Sequence, residues 1–138
     1  MQALDFMTGE WSLDYTVTQH GQTTKTIRGT GSLHYLFNAT YLTFDYQMIE
    51  KATGEMIAEA HAIIAWDKKS GQYRYYWFED SGNFHQATGV LRGAHTLALE
   101  WQDINCAQIF RRVSADAMYL EMQCPEQDFL LRVDFTRV

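Results

Sequence analysis

A histidine spaced between carboxylates is the feature of this 138-residue chain that could do chemistry. Counted back through the turn at 52–54, His61 falls opposite Asp45. Counted forward with three turn residues, 69–71, it falls opposite Glu79. An imidazole held between two carboxylates in apolar surroundings favours its protonated form. Such a set could bind a polar head-group or act as acid and base. Tyr41, Tyr75, Trp77, Phe84 and Trp101 would supply the flat apolar walls of a ligand cavity. Gln86 shares their predicted face, and Arg112 with Gln108 could meet an acidic group at one end. Plainer readings stand beside these. His61 could be a satisfied histidine with no ligand role, and Arg112 an end-of-strand arginine reaching solvent. Asp45, Glu79 and His61 are metal-ligand types, but no His-x-His pairing supports them, so no metal is expected. Gly-rich phosphate loops and Gly-x-Ser-x-Gly are absent, and no cofactor is expected.

These residues need strands to position them. Trp11, Leu13, Tyr15 and Val17 alternate with Ser12, Asp14, Thr16 and Thr18, a period of two with one apolar face. That strand opens at Gly9-Glu10-Trp11 and ends before the His20-Gly21 turn. Further strands are predicted over 23–36, 40–50, 55–66, 72–79, 83–91, 94–102, 105–113, 117–124 and 128–138. Gly, Asn, Asp or Ser stands at nearly every reversal. Residues 2–7 read as a single helical turn. Short connections pair sequential strands antiparallel, and about ten such strands leave long edges unless the sheet closes. The expected fold is all-β: one domain, residues 1–138, forming an up-and-down antiparallel β-barrel of about ten strands. The alternative is a two-sheet sandwich with crossovers.

Taking the Trp11 face as interior and carrying it through each turn places Tyr41, Asp45, His61, Tyr75, Trp77, Glu79, Phe84, Gln86, Trp101, Gln108 and Arg112 inside. The central strands then hold acids inside and Leu42, Phe44, Tyr46, Met48, Ile64, Trp66, Tyr76 and Phe78 outside. One reading is a misread turn, with the apolar face as core and the acids solvated. The other keeps the parity and covers the apolar patch with a second copy, a homodimer through these strands. His20, His34, His85 and His95 read as solvated.

Composition bounds the rest. The chain is 46% hydrophobic and 14% aromatic, with a formal charge of −6. It is a folded protein, and the charge argues against nucleic acid, which needs a basic surface. The opening MQALDFMTGEW lacks a basic n-region and a long apolar run, and no run would span a bilayer. A cytoplasmic setting is expected. Cys106 and Cys124 lie equidistant from Ala115 and could face one another. Two reduced core thiols are expected, because bridges between adjacent strands are awkward and the cytoplasm is reducing.

Gly9-Glu10-Trp11 at the first strand is similar to the Gly-x-Trp signature of calycins, the lipocalin and fatty-acid-binding-protein superfamily. Leu4-Asp5-Phe6, the Tyr41-Leu42 strand start, Ala65-Trp66-Asp67 and the run from Tyr75 to Gly82 resemble a bacterial calycin-like family of unknown function (domain of unknown function 1579). The resemblance implies a lipocalin-like barrel with an internal small-molecule cavity and no particular reaction. A haem-binding branch of the superfamily uses a histidine near its C-terminal strands. Residues 105–138 contain none, which counts against haem ligation in that manner.

The leading expectation is therefore binding of a small, partly apolar molecule inside the barrel. The alternative is an acid–base enzyme, an isomerase, cyclase or hydrolase, using His61, Asp45 and Glu79. A third possibility is a structural dimer module whose interior is filled by its own side chains.

Overall fold

The computed structural model describes residues 2–138. A 3-10 turn, Gln2–Met7, precedes ten strands. These are β1 (Gly9–Gln19), β2 (Gln22–Leu36), β3 (Tyr41–Glu50), β4 (Met56–Asp67), β5 (Gln72–Glu79), β6 (Phe84–Leu91), β7 (Thr96–Trp101), β8 (Ala107–Ser114), β9 (Ala117–Cys124) and β10 (Phe129–Arg137). Each strand pairs antiparallel with its neighbour in sequence. β1 also pairs with β10, from Trp11–Arg137 to Gln19–Phe129, so the sheet is a closed barrel and not a sandwich. Closure gives every strand two partners and leaves no open edge.

The interior is built by alternation. Trp11, Leu13 and Tyr15 are buried and share one core with Phe44, Phe110 and Phe135, the last paired with Leu13 on the adjacent β10. Phe135 meets Trp11, Phe44 and Phe110 in edge-on or tilted ring contacts. The 3-10 turn plugs the end where β1 begins. Leu4 and Met7 are fully buried, and the Trp11 indole N–H donates to the Met7 carbonyl at 3.0 Å. The Arg137 guanidinium lies 4.2 Å from the Trp11 ring centre and donates to the Thr8 carbonyl, tying the plug to β10. The opposite end carries the β1–β2, β3–β4, β5–β6, β7–β8 and β9–β10 connections.

One close approach shapes the wall. A Cβ at Gly29 would stand 2.0 Å from the Gln47 carbonyl oxygen, so only glycine lets β2 and β3 come this close. The Gln47 side chain accepts from the Thr30 amide at 2.5 Å, where the regular β2–β3 pairing lapses between Arg28–Ile49 and Gly31–Tyr46.

The central strands correct the expected parity. Phe37, Asn38 and Ala39 all take left-handed φ, and Leu36 pairs with Tyr41 across a loop one residue longer than the turn expected at 37–39. That single residue turns Leu42, Phe44, Tyr46 and Met48 inward and Tyr41, Asp45 and Gln47 outward. β4 keeps the expected register against β3, with Asp45 opposite His61, so His61 also faces outward. The 68–71 loop then restores the original parity, because Glu79 pairs with Ala60 and not with His61. At the next hairpin Phe78 pairs with Phe84, so β6 turns His85, Ala87 and Gly89 inward and Phe84, Gln86, Thr88 and Val90 outward. Pairing of Ala87 with Trp101 returns β7 to its expected face.

The cysteines are also corrected. Cys106 and Cys124 form a disulfide, with Cα atoms 4.3 Å apart. Cys106 precedes the first ladder residue of β8, Ala107, and continues the β8–β9 register by one step, opposite Cys124 at the end of β9. Among the described residues no helix is long and apolar enough to cross a membrane.

Candidate functional site

The barrel encloses a cavity of about 380 Å³. Its floor is Leu13, Phe44 and Phe135, and its upper part reaches Asn83, His85, Ile104 and Phe129 at the end opposite the N-terminal plug. One wall is aromatic, from Tyr46, Tyr75, Trp77 and Trp101. The other is aliphatic, from residues such as Leu120, Met122, Leu131 and Val133. These residues face one another because β3, β5 and β7 present their apolar alternates inward, as β9 and β10 do across the lumen.

Most polar atoms of the cavity are spoken for within the wall. The Tyr15 hydroxyl donates to the Gln47 carbonyl at 3.0 Å, and the Trp77 indole N–H donates to the Tyr46 hydroxyl at 2.7 Å. Burial raises the Tyr15 and Tyr46 phenols. For Tyr46 the value reaches about 12, although the Trp77 hydrogen bond pulls the other way. Tyr75 is raised well above its ordinary value by burial and shares a hydrogen bond with Gln108, itself buried. Trp101 differs. It is 8% exposed, and its Nε1 has no hydrogen-bond partner, the single such buried side-chain polar atom among the described residues. An unpaired buried N–H costs about 1–3 kcal/mol.

His85 stands at the upper rim. Its ring stacks on Trp77 with centroids 5.7 Å apart and meets Trp101 edge-on at 6.2 Å. His85 Nδ1 lies 2.8 Å from Asp103 Oδ2. That contact leaves Nε2 as the ring nitrogen not engaged by Asp103. Desolvation pushes the Asp103 carboxyl up, but hydrogen bonds from His85 and from backbone amides outweigh it and hold the carboxyl below its ordinary value.

The residues expected to form the site separate into two groups. Tyr75, Trp77 and Trp101 line the cavity, as does Gln108. Asp45 and His61 do meet, Oδ1 to Nδ1 at 2.5 Å, but on the outer wall, where the Asp45 side chain is 65% exposed. Glu79 is tied into its own hairpin by Ser81 and Asn83. These three border an open outer groove of about 490 Å³ with Glu10, Glu59 and Asp80. Tyr41 and Gln86 face outward, Phe84 is 72% exposed, and Arg112 reaches the Ser114 carbonyl and His95 at the plugged end. Among the described residues no group of three His, Cys, Asp or Glu side chains is placed to hold a metal ion.

No protein-family model matches the chain, and a search of curated proteins finds no match. The barrel is similar to the crystal structure of Rv2717c from M. tuberculosis. The TM-score is 0.73 at 13% identity, over 99% of this chain and 96% of that one. It is also similar to the S-type phycobiliprotein lyase CPES from Guillardia theta (TM-score 0.67, 7% identity, 97% and 89% covered). A third likeness is to a de novo designed fluorescence-activating β-barrel (TM-score 0.51, 14% identity, 100% and 99% covered). At such identities the likeness carries the fold alone. It fits a calycin-like barrel. The narrower family of unknown function finds no support.

Sequence reasoning missed His85, Asp103, Tyr46 and Phe44. For Phe44 and Tyr46 the signal was present, because Leu42, Phe44, Tyr46 and Met48 are all apolar. For His85 there was none on its own strand, where Phe84 and Val90 mark the opposite face as the greasier.

Proposed function

We propose that this barrel binds a small, largely apolar molecule in its interior cavity. One observation carries the reading: a chamber of about 380 Å³ inside the barrel with a mostly apolar, aromatic-rich wall. Ligand pockets run to roughly 300–1,000 Å³ with linings of this kind, and this one is at the small end. A phycobiliprotein lyase and a designed fluorescence-activating protein among the similar barrels are consistent with it. The test is titration with the neutral dye N-phenyl-1-naphthylamine, which brightens in apolar surroundings. Saturable brightening at one dye per barrel, lost when Met122→Trp fills the chamber, supports the reading. No saturable signal ends it.

Acid–base chemistry is the second reading, and the 2.5 Å Asp45–His61 contact is what favours it. It has moved to the outer groove, in water, with Glu79 no longer opposite. Turnover of a substrate with a bell-shaped pH profile, abolished in His61→Ala, would establish it. The dimer has lost its main support, because Leu42, Phe44 and Ile64 are core. On the outer wall Tyr76 and Phe78 of that patch stay exposed, and Phe84, expected inside, is exposed opposite Phe78. Sedimentation at the dimer mass would support it, and sedimentation at 16.0 kDa would end it. A cytoplasmic setting would leave Cys106 and Cys124 as thiols, whereas the bridged form belongs to an oxidising compartment.

A further inference from the structure

His85 keeps a ring nitrogen free at the mouth of the chamber. Its Nδ1 lies 2.8 Å from Asp103 Oδ2, and no described residue bonds Nε2. Nor is Nε2 sealed in packing. Trp101 Nε1 is the single buried side-chain polar atom without a partner among the described residues, and the His85 side chain is 30% exposed. β6 turns His85 inward with Ala87 and Gly89, so the tip of the ring points towards the lumen. His85 lines the chamber and Asp103 does not, so the carboxylate holds the Nδ1 edge from outside and leaves the far nitrogen to the chamber. Stacking on Trp77, with the two planes 20° apart, fixes the plane of the ring.

The partner decides what Nε2 can do. An ionised carboxylate only accepts, so Nδ1 carries the proton, and in the neutral ring Nε2 keeps a lone pair and accepts. Donors nearby are already committed: the Trp77 indole N–H goes to Tyr46, and the Asn83 amide goes to Glu79. An open acceptor at the mouth of an apolar chamber therefore calls for a donor on the ligand. A hydroxyl that enters apolar surroundings loses its hydrogen bonds to water, and Nε2 returns one. A carboxylate would bring no donor, would find no lysine or arginine in the lining, and would sit beside Asp103.

We propose that the chamber selects an apolar molecule bearing one hydroxyl, an alcohol or phenol, whose O–H donates to His85 Nε2 at the mouth. This rests on the cavity-binding reading and names its ligand class. The hydrocarbon body lies between the aromatic wall and the aliphatic wall of β9 and β10. Asp103 is a positioning residue: it sets the tautomer of His85 and touches no ligand.

Two probes with one body and different donors test it: 2-naphthol and 2-methoxynaphthalene. Calorimetric titration at about pH 8, where imidazole is ordinarily neutral, measures both. 2-Naphthol binds roughly tenfold more tightly, as one buried hydrogen bond allows. Nitrogen-15 spectra of the five histidines report the contact. The His85 ring, assigned by its loss in His85→Phe, carries its proton on Nδ1 in the free protein. Its Nε2 resonance moves upfield with 2-naphthol and stays in place with 2-methoxynaphthalene. In His85→Phe the preference disappears while 2-methoxynaphthalene still binds. In Asp103→Ala the ring proton moves to Nε2 and the preference falls with it. The wild-type comparison needs no variant, so a variant that fails to fold leaves the test intact. Equal binding of the two probes, or a preference that survives in His85→Phe, overturns this proposal and leaves the cavity reading standing. So does a free protein with the proton on Nε2. Binding of neither probe overturns it as well, and the N-phenyl-1-naphthylamine titration then decides the cavity reading on its own.

Discussion

Reducing the Cys106–Cys124 bridge offers a perturbation whose size follows from the chain. The two cysteines are 18 residues apart, and the bridge restricts the unfolded chain by closing that loop. Loop-closure entropy of 2.1 plus 1.5R ln n cal/mol/K gives about 3 kcal/mol at 25 °C for a loop of this length. The folded state loses little in return. Backbone hydrogen bonds from Trp101 N–H to the Cys106 carbonyl (3.1 Å), from Cys106 N–H to the Ile104 carbonyl and from Gln102 N–H to the Gln86 carbonyl hold the β7–β8 connection without it. The barrel should stay closed, with stability falling by nearly the whole entropic term. With a urea slope of roughly 2 kcal/mol/M, the midpoint drops by about 1.5 M at unchanged slope. The assay is urea unfolding followed by circular dichroism, with and without a phosphine reductant. The Cys106→Ser/Cys124→Ser protein serves as a control that reductant must not affect. N-phenyl-1-naphthylamine should still bind the reduced protein. A midpoint that reductant leaves in place would falsify the reasoning. So would a changed slope, because the bridge would then be altering the compactness of a state and not merely its entropy.

Three further outcomes follow from the structure. Phe44→Ala removes a buried ring packed against Phe110, Phe135 and Tyr46 and should cost about 3–5 kcal/mol, against about 1 kcal/mol or less for His61→Ala on the wetted wall. Equal costs in urea unfolding would return His61 to the interior. The Asp67 carboxyl is held at about 2, below its ordinary 3.8, chiefly by the hydrogen bond from Arg74 and then by those from Ser70 and the Lys69 amide. Its contribution is therefore present above pH 3.8 and lost as pH falls through about 2. Melting curves of the wild type and Asp67→Asn should differ at about pH 6 and converge towards about pH 2, and a constant gap would contradict the assignment. Gly89→Ala puts a Cβ 1.8 Å from the Ala98 carbonyl oxygen and should destabilise by about 3 kcal/mol or more, whereas alanine at Gly21, with open space around it and φ of +77°, should cost about 1 kcal/mol. Comparable losses at the two glycines would mean that β6 and β7 do not approach so closely.

The architecture was readable because it depends on period and spacing, which survive small errors. Closure followed from ten short strands and the shortage of any other way to hide edges. The inner face was a different matter, because it hangs on loop lengths known to a single residue. At 37–40 the left-handed conformation falls on Phe37, Asn38 and Ala39, with no glycine to announce it. A parity carried across that loop was bound to be uncertain. Each strand's own alternation was the safer guide in β3, where Leu42, Phe44, Tyr46 and Met48 contrast with Thr43, Asp45 and Gln47. The same guide fails in β6, because Phe84 faces water while His85 faces the chamber and Gly89 yields to the β7 backbone. Local pattern and tertiary role conflict there, and such conflicts concentrate where a chain gives up packing for function. β6 is also the strand that brings an imidazole to the rim, beside Trp101 and its unpaired donor. The residue that broke the pattern lines the chamber, whereas His61, which fitted an expected set, borders the outer groove.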